Sequence, residues 1–162
     1  MTNQYWIMKS EPSSYSIDDL KKDKRTIWDG VRNYQVRNMF RDLMKVGDKA
    51  LFYHSNTDVV GIVGEMKVVK TAEVDPTQFD KKDSHYDAKS TKENPRWLAP
   101  TVAFVSKFKN IVTLEQLKSD IRFTSMPIVK KGNRLSVVPI SKKHYETIVK
   151  LAGQSIINQN RE

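Results

Sequence analysis

The chain has 162 residues, with 38% hydrophobic and 29% charged residues, which predicts one globular domain and excludes a disordered chain. The net charge of +9 and the pI near 9.6 favour an anionic partner, because Lys and Arg gain free energy by releasing counterions from a phosphate backbone. The sequence has no cysteine, so neither disulfides nor a thiolate metal site is expected. It also shows no signal peptide and no run of about 18 apolar residues, so no membrane span is expected. We therefore expect a cytoplasmic protein, or a nuclear one in a eukaryote.

The first part of the chain predicts alternating strands and helices. The stretch QYWIMKSEP is rich in aromatic and branched residues before a proline, which indicates a strand that stops at Glu11. Ser16 followed by Asp19 is an N-terminal capping pattern, and it predicts a short helix over SIDDLKK. TIWDG predicts a brief strand and a turn. Apolar spacing between Asn33 and Met44 then predicts a helix with one buried stripe.

The second part of the chain is rich in strands. KALFYHSN and VVGIVGEMKVVKTAEV are separated by TD, which predicts a hairpin, and Gly61 and Gly64 predict a bulge or a close approach by another group. A polar loop runs from Pro76 to Pro100, and loops of this length are often functional. TVAFVSKFKNI and RLSVVPIS predict further strands. TLEQLKSD and SKKHYETIVKLAG predict a short helix and a closing helix.

This order of elements predicts the fold class. Strands that look antiparallel, with helices at the ends, favour an α+β domain built on a strongly curved sheet or a small open barrel. We expect the domain to span residues 1–153 and residues 154–162 to form a frayed tail.

The sequence lacks the common catalytic and metal-binding motifs. Its histidines, His54, His85 and His144, lie far apart, without an HExxH motif or clustered carboxylates. Walker, GxGxxG and GxSxG motifs do not occur either, which argues against nucleotide hydrolysis, dinucleotide binding and esterase chemistry. We therefore expect no metal, no cofactor and no catalytic residue.

Trp28, in TIWDG, suggests a binding pocket. A flat ligand needs a stacking face and polar groups for its edge, and stacking contributes about 1–3 kcal/mol per base. Trp28 would supply the face, while Ser10, His54, Ser55 and Asn56 would supply donors and acceptors if their two strand ends converge. The alternative is that Trp28 is an ordinary core residue, as most tryptophans are.

Several blocks of the sequence resemble the EVE domain, in the same order: YWIMKSEP, WDGVRNYQVRNM, GDKALFYHSN, GIVGEMKVVKTA and MPIVKKGNRLSVVPIS. The similarity runs from about Tyr5 to about Leu151. The resemblance implies a PUA-like fold, a curved β-barrel with flanking helices, related to the YTH domains that bind methylated adenine in RNA. It also implies binding of modified cytosine, such as 5-methylcytosine or 5-hydroxymethylcytosine in DNA.

The resemblance to YTH domains implies roles for particular residues. MKS resembles the strand that lines their base pocket, which implies that role for Lys9 and Ser10. TIWDG resembles the segment with a cage tryptophan, so that Trp28 is a wall and Asp29 the adjacent polar residue. LFYHSNTDVVGIVGEM resembles a strand pair that brings in Ser55, Asn56 and Gly64.

The second cage tryptophan of YTH domains has no certain counterpart here. Phe79, Tyr86 and Trp97 are the candidates, and we expect Trp97 or Tyr86 to close the far side of the pocket. The alternative for Trp97 is that it anchors the loop or plugs the end of the barrel.

Together these patterns predict a non-enzymatic, monomeric module that binds DNA rather than RNA through a flipped modified base, without membrane contact. Trp28 stacks on the base, Ser10 and Asn56 bond to its edge, and His54 supports the pocket. The nucleic-acid backbone is held by basic residues: Arg32, Lys130, Lys131 and Arg134. Two alternatives stay open. One is a hydrolase of modified nucleosides that uses Lys9, Glu11 and Asp29, and the other is a protein-interaction domain.

Overall fold

The structure is a computed structural model that describes residues 3–153, so the predicted tail at 154–162 lies outside the described residues. The strands are β1 (Tyr5–Ser10), β2 (Arg25–Ile27), β3 (Lys49–His54), β4 (Gly61–Val74), β5 (Leu98–Thr113) and β6 (Val137–Ile140). The α-helices are α1 (Ile17–Asp23), α2 (Tyr34–Asp42), α3 (Leu114–Ser119) and α4 (Lys142–Leu151), with short 3-10 turns at Pro76–Phe79, Ile121–Phe123 and Pro127–Val129.

All six strands belong to one mixed sheet in the order β2-β5-β4-β3-β1-β6. β1 and β3 are parallel, and every other neighbouring pair is antiparallel. The sheet is open, with β2 and β6 at its edges, so the expected barrel is not closed. The α+β class predicted from the sequence is confirmed.

The predicted caps begin the helices. Ser16 accepts a hydrogen bond from the Asp19 N–H (3.1 Å), and the Asp19 carboxylate accepts one from the Ser16 N–H (2.9 Å), so the capping box of α1 is complete. Asn33 accepts from the Val36 N–H (3.0 Å) and begins α2, which ends two residues before the predicted Met44. None of the described helices is long and apolar enough to cross a membrane.

The predicted hairpin is the pair β3 and β4, and its glycines are needed for close backbone packing. A Cβ at Gly61 would lie 2.4 Å from the Val112 carbonyl oxygen, and one at Gly64 would lie 2.5 Å from that of Ser106. The pairing of β4 with β5 shifts register between Ile62 and Gly64, as expected of a bulge. Both predictions for these glycines are confirmed.

The long polar loop is shorter than predicted, because β5 begins at Leu98, and we call residues 76–97 the 76–97 loop. The fully buried Gln78 orders it: its Nε2 donates to the carbonyls of Asp75 (2.6 Å) and Trp97 (2.9 Å). Gln78 Oε1 accepts from the backbone N–H groups of Arg96 and Trp97, each at 3.1 Å. The loop is therefore held by the buried amide of one side chain.

Hydrophobic side chains pack on both faces of the sheet, because neighbouring residues of a strand point to opposite faces. One cluster contains Trp6, Met8, Phe52 and the buried side chains of α1 and α2. The other contains Ile7, Leu51 and the buried side chains of α3 and α4. Trp28 belongs to the first cluster, which places it beneath the surface on the α1 and α2 side.

Candidate functional site

A cleft of about 860 Å³ opens beside the C-terminal end of β1. Its walls come from four places: the end of β1 with the turn that follows, residues 26–33 after and within β2, residues 82–85 of the 76–97 loop, and Ser136 before β6. Of the residues predicted to form a site, those that line the cleft are Lys9, Ser10, Trp28, Asp29 and Arg32.

Trp28 is at once a core residue and part of the cleft wall. Only 7% of it is exposed, and its ring packs edge-on against Phe52 at 5.3 Å between centroids. Its backbone N–H donates to the Pro100 carbonyl (2.8 Å), which fixes the indole just beyond β2. Residues 3–153 offer the indole Nε1 no hydrogen-bond partner. Every fully buried side-chain nitrogen among these residues does have a partner. Nε1 is therefore accessible to solvent.

Two polar side chains from the end of β1 reach the cleft. The Ser10 hydroxyl donates to the Tyr15 carbonyl at 2.7 Å, so its oxygen lone pairs remain free to accept. Lys9 is half-buried, its backbone N–H donates to the Ser136 carbonyl (2.8 Å), and its Nζ lies 5.8 Å from the centre of the Tyr53 ring. Partial burial lowers the pKa of the Lys9 ammonium.

Asp29 presents a carboxylate to the cleft without a hydrogen-bond partner among the described residues. The side chain keeps contact with solvent, yet the walls around it remove part of its hydration. Partial burial, and then the charges of Asp75 and Asp83, raise the pKa of Asp29. The fold therefore disfavours the ionised form of Asp29.

Arg32 and the fully buried Asp75 join the cleft wall to the 76–97 loop. Arg32 Nη1 lies 3.0 Å from Asp75 Oδ2, its Nη2 donates to Thr77 Oγ1 (2.8 Å), and its Nε donates to the His85 carbonyl (2.9 Å). Asp75 also accepts from the Gly30 N–H (2.8 Å). The guanidinium predicted to hold a phosphate is therefore engaged with the protein itself.

Hydrogen bonds keep Asp75 ionised. Burial disfavours its carboxylate, but donors from Thr77, Gly30 and Arg32 outweigh that effect and lower the pKa of Asp75. Because these donors come from both the wall and the loop, one carboxylate fixes the position of the two segments relative to each other.

His85, rather than a tryptophan, is the aromatic residue that the loop contributes to the cleft. Its ring covers Gly30, where a Cβ would lie 2.9 Å from His85 Nε2, and Gly30 has a φ of +84°. His85 Nδ1 lies 2.9 Å from Asp83 Oδ1. In the sequence, His85 stood out only as one of three scattered histidines. Gly30, two residues after Trp28, was the available sign that another group approaches the chain closely there.

Tyr15 and Asn33 also line the cleft and were missed as site residues. The Tyr15 hydroxyl donates to Asp23 (2.8 Å), and partial burial is the main reason that its pKa rises to about 12. Asn33 serves as the cap of α2. Both residues lie in turns shortly after predicted strands. This position was the available sign in the sequence that they could line a site.

Trp97 and Tyr86 do not line the cleft. Trp97 is 5% exposed, its ring stacks on Tyr34 at 4.7 Å, and its Nε1 donates to Asp87 (2.7 Å). These contacts bury the indole between α2 and the 76–97 loop, so it anchors the loop, which was the alternative considered for it. Tyr86 is exposed on that loop.

The two strand ends converge as predicted, but their other side chains turn to local contacts. Ser10 and His54 are register partners of β1 and β3, and the Ser55 N–H donates to the Ser10 carbonyl (3.1 Å). His54 Nε2 accepts from the Ile17 N–H (3.1 Å), in keeping with partial burial that lowers its pKa. Asn56 donates to the Glu11 carboxylate (3.1 Å). His54, Ser55, Asn56 and Glu11 are absent from the walls of the cleft.

The basic turn, residues 130–134, leads to the cleft wall at Ser136. Lys130, Lys131 and Arg134 are exposed and form no ion pair with any residue from 3 to 153. Gly132 has a φ of +86°, and nothing lies within 4 Å of the position of a Cβ there. The turn therefore presents three solvated cations beside the cleft without lining it.

Comparison with known proteins identifies the family. The EVE domain family matches residues 4–151. Thymocyte nuclear protein 1 of Rattus norvegicus is 42% identical over 168 residues, which cover 92% of this chain and 74% of that protein. The crystal structure of human THYN1 protein in complex with 5-methylcytosine containing DNA has a TM-score of 0.86 and 38% identity, covering 94% of this chain and 99% of that one.

A more distant likeness concerns the fold alone. The YTH domain of Zygosaccharomyces rouxii MRB1 protein, solved in complex with N6-methyladenosine RNA, is 17% identical with a TM-score of 0.54, covering 96% of this chain and 91% of that one. The predicted PUA-like α+β fold is thus confirmed. With its family match extending over nearly every described residue, the chain belongs to the EVE domain family.

Proposed function

We propose that this protein binds nucleic acid that carries a modified base, without catalysing a reaction, and that a flipped modified cytosine of DNA lies in the cleft against Trp28. One observation carries the proposal: the Trp28 indole forms part of the wall of an open cleft of about 860 Å³, within the size range of small-molecule sites. The human THYN1 protein, solved with 5-methylcytosine containing DNA, favours DNA over RNA as the partner.

The free energies of flipping and stacking show why polar contacts are also needed. Extruding a base costs a few kcal/mol, and stacking on one aromatic face returns about 1–3 kcal/mol. Hydrogen bonds from the base edge must supply the rest. The free lone pairs of Ser10 Oγ are suitable acceptors at the cleft wall.

The basic turn would hold the DNA backbone. Lys130, Lys131 and Arg134 are solvated and unpaired within the described chain, so a phosphate contact would release counterions without breaking an existing ion pair. Arg32, whose guanidinium already binds Asp75 and Thr77, would instead support the cleft wall.

The position of Glu11 also favours a binding protein over a hydrolase. A hydrolase built on Lys9, Glu11 and Asp29 would need the three groups around one substrate, but Glu11 lies outside the cleft and accepts a hydrogen bond from Asn56. Lys9 and Asp29 remain as groups that can bind a ligand.

The test compares DNA duplexes that differ only by 5-methylcytosine or cytosine at one position, with fluorescence anisotropy as the readout. Because Trp28 packs in the core, Trp28→Ala is expected to cost about 3–5 kcal/mol of stability, so Trp28→Phe is the sharper variant. We expect Trp28→Phe to remain folded and to lose most of the preference for the methylated duplex.

Trp97→Phe is the matched control, since it makes the same change at an indole outside the cleft and should keep the preference. Thermal melting confirms that both variants are folded. The proposal fails if Trp28→Phe retains the full preference or if Trp97→Phe alone removes it.

A further inference from the structure

Two side chains of opposite charge line the cleft, and neither has a partner in the described chain. Lys9 projects from the end of β1 and Asp29 follows Trp28. No carboxylate oxygen among residues 3–153 lies within 4.0 Å of Lys9 Nζ, so the two groups do not pair with each other. Each is a separate charge that lines the same cleft.

Partial burial disfavours the charged form of both side chains, because removing water from a charge without supplying a partner is unfavourable. Lys9 is partly buried, and its Nζ lies 5.8 Å from the centre of the Tyr53 ring. Asp29 is exposed at the cleft, and the carboxylates of Asp75 and Asp83 act on it more strongly than the opposite charges of His85 and Arg32. Such unfavourable placements are concentrated where a ligand completes the hydrogen bonds.

The hydrogen-bonding edge of cytosine complements this pair of charges. Cytosine presents an exocyclic amine at C4, which donates, next to the ring nitrogen N3, which accepts. Thymine reverses both positions, with an accepting O4 next to a donating N3–H. A carboxylate can accept only from the amine, and an ammonium can donate only to the ring nitrogen. Enzymes and readers that flip a base recognise it through this edge.

We propose that Asp29 and Lys9 select an amine-bearing pyrimidine over thymine, with the Asp29 carboxylate accepting from the C4 amine and the Lys9 ammonium donating to N3. The inference rests on the proposed function, because it requires a flipped base in the cleft. It adds a specificity that stacking on Trp28 does not provide, since 5-methylcytosine and thymine carry the same 5-methyl group and stack on an indole in the same way.

The experiment uses DNA duplexes with 5-methylcytosine, thymine or guanine placed opposite an abasic site, so that no base pair has to be broken in any of them. Binding is measured by fluorescence anisotropy at one salt concentration. For the unaltered protein we expect at least about tenfold tighter binding to 5-methylcytosine than to thymine, as for one well-formed polar contact to a base edge. Guanine, which can also donate to a carboxylate, is expected to bind more weakly than 5-methylcytosine because a purine is larger.

Asp29→Asn keeps the size of the side chain but allows it to donate as well as accept, so the ratio of 5-methylcytosine to thymine affinity should fall to about one to three, well below the tenfold of a retained contact. Lys9→Met keeps the apolar stem and should lower the same ratio. Asp58→Asn is the matched control, because Asp58 is exposed in the loop between β3 and β4 and lies outside the cleft. It should leave the ratio unchanged.

The inference is overturned if the unaltered protein binds thymine as tightly as 5-methylcytosine, if guanine binds most tightly, or if Asp29→Asn retains the full ratio. The proposed function is tested separately, by the preference for 5-methylcytosine over cytosine in paired duplexes. If that preference persists while thymine is not rejected, only the role of Asp29 and Lys9 fails. If binding to all the duplexes is undetectable at low salt, both fail.

Discussion

Asp75→Asn is the substitution that most directly tests how the cleft is built. The Asp75 carboxylate is fully buried and accepts four hydrogen bonds: from the Gly30 N–H (2.8 Å), Arg32 Nη1 (3.0 Å), the Thr77 N–H (2.8 Å) and Thr77 Oγ1 (2.6 Å). Asparagine has the same shape but turns one accepting oxygen into a donating NH₂ group. Two of the four donors would then face another donor.

The expected loss of stability follows from these contacts. Hydrogen bonds to a charged group contribute about 1.5–3 kcal/mol, and breaking a buried ion pair costs about 3–5 kcal/mol. The Arg32 side chain is 21% exposed, so water partly replaces its lost partner and the lower part of that range applies. We expect Asp75→Asn to lower the free energy of unfolding by about 3 kcal/mol, which corresponds to a melting temperature lower by roughly 6–12 °C in a domain of this size.

Urea denaturation of both proteins at neutral pH, followed by circular dichroism, measures this loss. Because the pKa of Asp75 is lowered in the folded state, its stabilisation is complete above the pKa of the unfolded chain and disappears as pH falls through the lower, folded value. The difference between the two proteins should therefore shrink in acid. Asp42→Asn is the control: its pair with Arg41 is exposed, so solvent screens it and little or no change in stability is expected. A loss for Asp75→Asn as small as that of the control would refute the structural role of the network.

Three further predictions concern charge and packing. Asp29→Asn should raise the melting temperature at neutral pH: the pKa of Asp29 is raised in the fold, so ionisation destabilises it, and the gain should vanish as pH falls below the unfolded pKa. An unchanged or lower melting temperature at neutral pH would contradict this. Lys131→Ala should weaken binding to methylated and unmethylated DNA alike and reduce the slope of log affinity against log salt by about one, whereas Lys142→Ala, on α4, should leave the slope unchanged. Equal slopes for Lys131→Ala and the unaltered protein would remove the basic turn from the interface. Gly64→Ala, whose Cβ would meet the Ser106 carbonyl at 2.5 Å, should cost about 1–3 kcal/mol or more in urea denaturation, against about 1 kcal/mol for Gly132→Ala, which has open space. If both variants lose the same stability, the strands around Gly64 can shift to admit a Cβ and the close contact is not important.

Much of the fold follows from local patterns in the sequence. The Ser16 and Asp19 pair begins α1, and the two glycines of β4 lie where the neighbouring strand approaches closely, as predicted. Part of the cleft was predictable for the same reason. Lys9, Ser10, Trp28 and Asp29 stand at strand ends or in the turns after them, so their position depends on short stretches of chain.

The rest of the cleft depends on contacts between residues distant in sequence. Contacts with Tyr34 and Asp87 hold Trp97 outside the cleft. Nothing in the sequence identifies either residue as a partner of Trp97. His85 reaches the cleft because Gln78 orders the 76–97 loop from within. A polar loop with several aromatic residues predicts that one of them meets a ligand, but buried hydrogen bonds decide which one.

The indole N–H signals of the protein offer the most direct measurement of base stacking on Trp28. The chain has three tryptophans; Trp6 Nε1 donates to Asp48 (2.9 Å), Trp97 Nε1 donates to Asp87 (2.7 Å), and Trp28 Nε1 is accessible to solvent without a partner in the described chain. In a titration followed by ¹H–¹⁵N NMR with DNA that contains one 5-methylcytosine, the Trp28 signal should move most and saturate with binding, while the Trp6 signal stays in place. If saturating DNA leaves the Trp28 signal unmoved, the base does not lie against this indole.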